Sequence, residues 1–487
     1  MSRKKSFLIA SLLCLLFVFG MNTKGNAQSL NFREIDEISY RLFLARQWDS
    51  LIAFNQEAIQ HGHESYYLYL RSGIAWYEKG NFRNATSALE KAMVLNSWDP
   101  LCRQYLYWSY VFSGRPGEAK FQARSATPDF RKKAMIPDPH FLESVSFEAG
   151  PSFSDNLKKV SKGPLIGPAG VYGERNLYDQ GFYTHFGIKH HVAKRISFYQ
   201  GFSHVGIDMR KDMQFNTFDS LNTFADTSGS YRILQNSYYL RADIRAGKSW
   251  TITPAFHFIS AKSESYGLEY QSDTSWYWDN PDEDTVQLMK YVYTYTMPVV
   301  RQSFSNFVLS LALSKDIGLI SIQAHASISN LNDLKQSVVG AAVAYFPSGN
   351  LNLYGSTALS WFTTETKIAE QYSTPPLDKI DQHLIFKQMI GFKLLSKLWV
   401  EANFSWGELT NYNDNNGFLA YNIPDRISTR LELALLMPFS KHLDASLRYM
   451  LNNKTTQTLR YTDLTNYIIK DKKYINHNII GGIQWKF

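Results

Sequence analysis

From residue 143 to the last residue, 487, apolar side chains recur at every second position, and no other feature restricts the fold of this chain so tightly. In VSFEAGPSF, Val145, Phe147, Ala149 and Phe153 share one parity, while Ser146, Glu148 and Ser152 share the other. LISIQAHASIS sets Ile320, Ile322, Ala324, Ala326 and Ile328 against Ser321, Gln323, His325, Ser327 and Ser329. A period of two is an extended strand whose faces meet different surroundings. The chain closes the same way. In HNIIGGIQWKF, Phe487, Trp485, Ile483 and Ile479 lie on one face and Lys486, Gln484 and Asn478 on the other, with Ile480 the exception.

The pattern predicts about fourteen strands, near 143–154, 181–193, 196–209, 231–246, 249–262, 303–315, 318–330, 335–346, 350–363, 381–395, 398–411, 426–438, 443–456 and 474–487. A soluble sandwich also alternates, so the connections have to separate the two cases. Turns after even-numbered strands are short: AKR, AGKS, SKDIG, FPSGN, LSKL and PFSKH. Most of those after odd-numbered strands are long, at 155–180, 210–230, 263–302, 364–380 and 457–473. An even strand count with short turns on one rim and long loops on the other is the arrangement of an outer-membrane barrel. Both barrel ends then lie on the short-turn, periplasmic side.

The start of the chain agrees. Arg3, Lys4 and Lys5 precede the apolar run FLIASLLCLLFVFG, and Gly25, Asn26 and Ala27 offer a small-residue cleavage site, so residues 1–27 read as a signal peptide. Losing Arg3, Lys4, Lys5 and Lys24 lowers the formal charge from +8 to +4, too mild to argue for nucleic acid. Cys102 remains alone and reads as helix core. Later stretches fall short of eighteen apolar residues, while aromatic residues make up 15% of the chain. An exported, aromatic-rich chain without a membrane helix suits a barrel whose outer face meets lipid.

Before the strands, residues 32–130 have a helical pattern that repeats every 34 residues: Ala58, Ala92 and Ala126; Gly80 and Gly114; Ala85 and Ala119. The copy YLRSGIAWYEKGNFRNATSALEKAMVLNSWDP resembles a tetratricopeptide repeat at Tyr69, Gly73, Trp76, Ala85, Leu89, Ala92 and Pro100. Small residues there let two helices approach, and Trp76 and Leu89 fill the seam. The flanking copies depart from the pattern, with Arg46 at the turn-glycine position and Pro116 at the aromatic one. The resemblance implies a binding scaffold without catalysis, with Trp76 and Tyr110 as core residues or partner-binding candidates. Pro137 and Pro139 end the helical region, and residues 131–133 are basic. The domain plan is a signal peptide at 1–27, helical repeats at 28–134, a linker at 135–142 and a barrel at 143–487. In class it is an α+β two-domain chain: a short α-helical tetratricopeptide-like domain, then an antiparallel transmembrane β-barrel.

Enzyme constellations are missing from the sequence: GxSxG, HExxH, a phosphate loop and paired-cysteine metal sites do not occur. The expectation is no catalytic residue, cofactor or metal. His61 and His63 lack further ligand spacing, and His190 and His191, adjacent in a strand, point to opposite faces. Lumen-lining candidates are Lys189, Arg241, Asp243, Arg245, Lys387, Glu401, Glu408, Arg430, Glu432, Asp444 and Arg448, a mixed-sign set that reads as a salt-bridge network before a selective lining. The 263–302 loop interleaves Glu264, Glu269, Asp273, Asp279, Asp282, Glu283 and Asp284 with Tyr270, Trp276, Tyr277 and Trp278. It is a solvated loop, or a site for a divalent cation or sugar.

Ile483, Trp485 and Phe487 resemble the terminal signature by which the barrel-assembly machinery recognises its clients. The order of signal, repeats and barrel resembles that of polysaccharide-export porins of the PgaA type, and of YaiO-like barrels of Bacteroidota, although the repeat array is much shorter than in the export porins. The resemblance implies a Gram-negative outer membrane, contact with its lipid, and a periplasmic protein partner for the repeats. The leading functional reading is a conduit for a polymer or small solute. A non-conducting structural or surface-binding barrel and a lipid-modifying enzyme are the alternatives.

Overall fold

The computed structural model describes residues 31–162, 164–166, 170–216, 224–247, 249–278, 287–368, 377–422, 425–462 and 466–487. The expected signal peptide lies outside them. The chain divides into two compact units, one running to Lys79 and including Ala85–Leu106, the other made of Gly80–Asn84 and Tyr107–Phe487. The division falls before the composition change at 135–142.

Seven helices lead the described chain: α1 (Phe32–Leu44), α2 (Trp48–Gln60), α3 (Tyr66–Glu78), α4 (Phe82–Leu95), α5 (Pro100–Phe112), α6 (Pro116–Ser125) and α7 (Pro128–Lys133). Phe32, Tyr66 and Pro100 begin alternate helices 34 residues apart, as do Trp48, Phe82 and Pro116. Asn31 and Glu34 form a reciprocal cap on α1, and the Ser65 hydroxyl accepts from Leu68 N–H at the start of α3. The turns after α1, α3 and α5 all contain a left-handed residue, at Arg46 (φ 54°), Gly80 (φ 74°) and Gly114 (φ 75°). Arg46 thus takes the glycine conformation at a steric cost. Within the first unit, Leu51, Ile52 and Ala75 form a buried cluster with Trp76 half-buried against it. A Cβ on Gly73 would lie 2.5 Å from Leu89 Cγ, which is why the close helix contact requires glycine there. The Cys102 thiol is fully buried, faces the Leu89 carbonyl, and is pushed up to about 12, chiefly by that burial.

Fourteen strands close a barrel in the second unit. They are β1 (Leu142–Ser154), β2 (Tyr172–Ala193), β3 (Ile196–Asn216), β4 (Phe224–Gly247) and β5 (Trp250–Tyr266); then β8 (Val299–Ile317), β9 (Ile320–Ser329), β10 (Gln336–Tyr345), β11 (Leu353–Ile368) and β12 (Leu377–Leu395); and β13 (Leu398–Trp406), β16 (Arg426–Pro438), β17 (Leu443–Tyr461) and β18 (Tyr467–Lys486). Two hairpins stand apart from the wall: β6 (Glu269–Trp278) with β7 (Gln287–Thr296), and β14 (Asn413–Asp414) with β15 (Leu419–Ala420). A short α8 (Asn156–Lys159) follows β1. β1 pairs with β2 on one side and β18 on the other, so the ladder has no free edge. The last residue takes part: Phe487 N–H donates to the Glu143 carbonyl at 3.2 Å.

All fourteen expected strands are present, and several run further toward the long-loop rim. The strand expected at 181–193 begins at Tyr172, and that expected at 443–456 continues to Tyr461. Antiparallel pairing satisfies backbone groups whatever the side chains are, so the ladder outlasts the hydrophobic alternation that marks it in sequence. The strand expected at 398–411 is the exception, ending at Trp406. Facing follows parity. In β9, residues 322, 324, 326 and 328 are exposed, while Ser327 and Ser329 are buried. Phe147, Phe186, Phe202, Leu311, Trp361, Leu433, Ile483 and Trp485 are likewise exposed. A continuous outward belt of this kind has no place in water. No helix among the described residues is long and apolar enough to cross a membrane.

Candidate functional site

The inward parity of the wall is polar, and its charges meet one another. Lys189 and Arg241 both reach Asp243, at 3.6 and 3.3 Å. Arg430 pairs with Glu432, Arg448 with Glu148, and Asp444 with Lys486 at 2.8 Å. Glu401 accepts from the Tyr354 hydroxyl at 2.6 Å. Glu408 lies beyond the end of β13 and accepts from Thr410.

The connection from β13 to β16 turns into the bore and carries the β14–β15 hairpin with it. Leu409, Tyr412 and Tyr421 pack on Val338, Phe362, Ile385 and Ile427, inward residues of β10, β11, β12 and β16. This apolar island is where the connection is seated. Burying Leu409 alone is worth roughly 1.5–3 kcal/mol. At the hairpin tip, Asn415, Asn416 and Gly417 are all left-handed, which turns successive carbonyls toward the wall. Asn416 O accepts from Ser310 Oγ at 2.6 Å and Tyr239 OH at 3.2 Å. Gly417 O accepts from His257 Nδ1–H at 2.8 Å. Lys387 forms an ion pair with Asp414, and Ser327 donates to Asn413 Oδ1 at 2.8 Å. Phe418 ends among His185, Tyr199 and Tyr239, with ring centroids 5.3, 6.4 and 5.1 Å away. Round the barrel order, β4 is the seventh neighbour of β13 in a ring of fourteen. The loop therefore spans the full bore.

At the short-turn rim, α6 lies against the wall. Arg124 and Lys120 both pair with Glu143. Arg115 (3.2 Å) and Arg245 (2.8 Å) both reach Glu118. Asp316 takes Arg83 at 3.3 Å and Arg115 at 3.6 Å. Burial works to raise the Glu118 carboxyl, but Arg115 and Arg245 outweigh it and hold the group below the usual carboxylate range. Gly117 makes room for this arrangement, since a Cβ there would sit 1.8 Å from Arg245 Nη2. A cavity of about 240 Å³ remains between α6 and the rim, lined by Lys120, Arg124, Lys189, Arg195, Asp243 and Arg245 among others.

The other candidates fall as follows. Tyr110 is 6% exposed, with the Arg115 guanidinium 4.8 Å over its ring, so it is packing and offers a partner no surface. Trp76 keeps a partly open edge. Arg245 binds α6, whereas the alternation placed it with the wall charges. Ile483, Trp485 and Phe487 are 56, 48 and 48% exposed on the outer face. His61 Nδ1 bonds the Glu57 carbonyl, and no three His, Cys, Asp or Glu converge among the described residues. In the 263–302 loop, Glu264 pairs with Arg301 at 3.0 Å. Asp279, Asp282, Glu283 and Asp284 lie outside the described residues. The inward connection was missed because its signal, NDNNG at 413–417, marks a turn and not its direction.

No family model and no curated protein matches this sequence. Among solved structures, the P. putida toluene transporter TodX is 8% identical over 74% of this chain and 93% of its own, with a TM-score of 0.40. A Pseudomonas aeruginosa FadL homologue is 8% identical over 71% and 90%, at 0.41. The translocator domain of the autotransporter NalP from Neisseria meningitidis is 13% identical over 77% and 98%, at 0.29. Likeness at this level assigns no family.

Proposed function

We propose that this chain is a conduit for small solutes across the Gram-negative outer membrane, closed in the present state by residues 407–422 of the β13–β16 connection. The outward apolar belt, the closed fourteen-strand ladder and the rim asymmetry support the membrane reading. One observation carries the conduit reading. The bore is spanned by a loop seated on an apolar island of the wall. A barrel of fourteen strands is too wide for its own side chains to fill, so displacement of the loop would leave a polar path.

The 34-residue spacing of the helices supports tetratricopeptide-like repeats that hold a periplasmic protein. We read the lumen as non-catalytic. His185 has Ser203 on Nδ1 (2.8 Å) and the Tyr199 hydroxyl on Nε2 (2.6 Å), and among the described residues no carboxylate orients it as a general base. Export of a polymer would require the whole connection to leave the bore, so a small solute is the simpler cargo.

Single-channel recording in planar bilayers tests the proposal. The full chain should show rare, brief openings, and a variant with 409–421 replaced by a Gly-Ser linker should stay open. Silence from both would leave a non-conducting scaffold.

A further inference from the structure

We propose that the cavity between α6 and the short-turn rim binds an oxyanion, the phosphate or carboxylate group of a small solute. The inference rests on the conduit reading for the source of that ligand and extends it to the ligand's charge.

The argument is one of charge count. Four carboxylates stand around this cavity, and each is shared by two cations: Glu118 by Arg115 and Arg245, and Glu143 by Lys120 and Arg124; Asp243 by Lys189 and Arg241, and Asp316 by Arg83 and Arg115. Of these cations, Arg115, Arg245, Lys120, Arg124 and Lys189 line the cavity. Arg195 is the sixth. It lines the cavity, packs against the Phe121 ring at 5.3 Å, and has no ion pair among the described residues. Six cations and four carboxylates line the cavity, a formal excess of two positive charges. Removing unmatched charge from water is costly, and protein sites that do so hold a counter-charge.

The donor geometry agrees. The Arg124 side chain is 7% exposed, and its Nε has no hydrogen-bond partner among the described residues. The first turn of α6 also lines the cavity without a side-chain cap, so its N–H groups add positive potential. Guanidinium groups match phosphate and carboxylate oxygens in a planar, two-point fashion. Place favours a solute over a lipid headgroup. Ser197 pairs with Asp243 and Thr251 with Arg245, so these lining residues share the inward face of the wall. At about 240 Å³ the cavity takes one small group and no folded partner.

Calorimetry on the full chain in neutral detergent at low salt provides the test. Inorganic phosphate is titrated against chloride at matched ionic strength, with a parallel arm in phosphatidylglycerol mixed micelles. Saturable phosphate binding should weaken on the order of tenfold in Arg195→Gln, the size of one charge-assisted contact. The lipid should not compete. Competition by the lipid would identify a headgroup site and overturn the solute assignment. Arg195 holds no ion pair, so its replacement should leave the heat-modifiable gel shift unchanged; Lys120→Gln, at a half-exposed position, is the second variant. Phosphate heats unaltered by both substitutions, or no saturable binding at all, overturn the site. Reversal potentials of the loop-shortened channel separate the two proposals. Conductance without phosphate binding leaves the conduit and removes the site, whereas phosphate binding by a silent barrel keeps the site and removes the conduit.

Discussion

Phe418 meets Tyr239 edge-on with ring centroids 5.1 Å apart, on the far side of the barrel from the strand that launches its own loop. That contact is the end of a bridge whose near footing is Tyr412, 1% exposed between Phe362 and Tyr421. On the conduit reading, a loop anchored at both footings is the closed state, and substitution should destabilise it stepwise.

Tyr412→Ala should loosen the near footing. Truncating a buried aromatic costs about 3–5 kcal/mol when its surroundings cannot collapse. Open probability in bilayers should rise strongly while the wall stays folded on gels. An unchanged closed time would show that the ring does not hold the loop.

Asp414 and Lys387 offer a cleaner test, because either can be neutralised alone. Asp414→Asn leaves a lysine facing the island with no counter-charge, and should open the channel by about 1–3 kcal/mol, below the range for fully buried pairs because Lys387 is part-exposed. Adding Lys387→Met should restore part of the closure. Additive openings in the double-mutant cycle would mean that the two groups are not coupled.

The seat of α6 should depend on acid. Glu118 is held below the ordinary glutamate value of 4.5, against its own burial, by Arg115 and Arg245. A depressed carboxyl stabilises the docked helix above its ordinary value, and that contribution is lost as pH falls through the depressed one. Hydrogen-exchange protection of residues 116–125, corrected for intrinsic rates, should hold at neutral pH and collapse in acid, below the ordinary carboxylate range. In Glu118→Gln it should already be weak at pH 7. Equal protection in both proteins would remove Glu118 from the seat.

Arg46→Gly should stabilise the helical region. Arg46 has a φ of 54° where Gly80 and Gly114 occupy the equivalent turns, and relief of the left-handed strain is worth on the order of 1 kcal/mol. Thermal unfolding followed by helical circular dichroism should shift upward. A downward shift would mean that the arginine side chain earns its place by contacts.

By itself, the sequence determined the number of strands, their order and their facing, because a wall between lipid and a polar interior writes its period into every strand. It also determined the helix spacing, since each hairpin must meet its neighbour with the same small residues. It did not reveal that Val338, Phe362 and Ile385, apolar on a polar parity, form one island. They belong to three separate strands, and only closure of the ladder brings them together. Nor did it show where the β13–β16 connection goes, because a left-handed turn such as Asn415–Asn416–Gly417 has the same local chemistry in solvent or in a bore. The pairing of Glu118 with Arg245, 127 residues later, was equally hidden. Charges state their sign in sequence, but their partners are chosen by distance, and distance belongs to the tertiary structure.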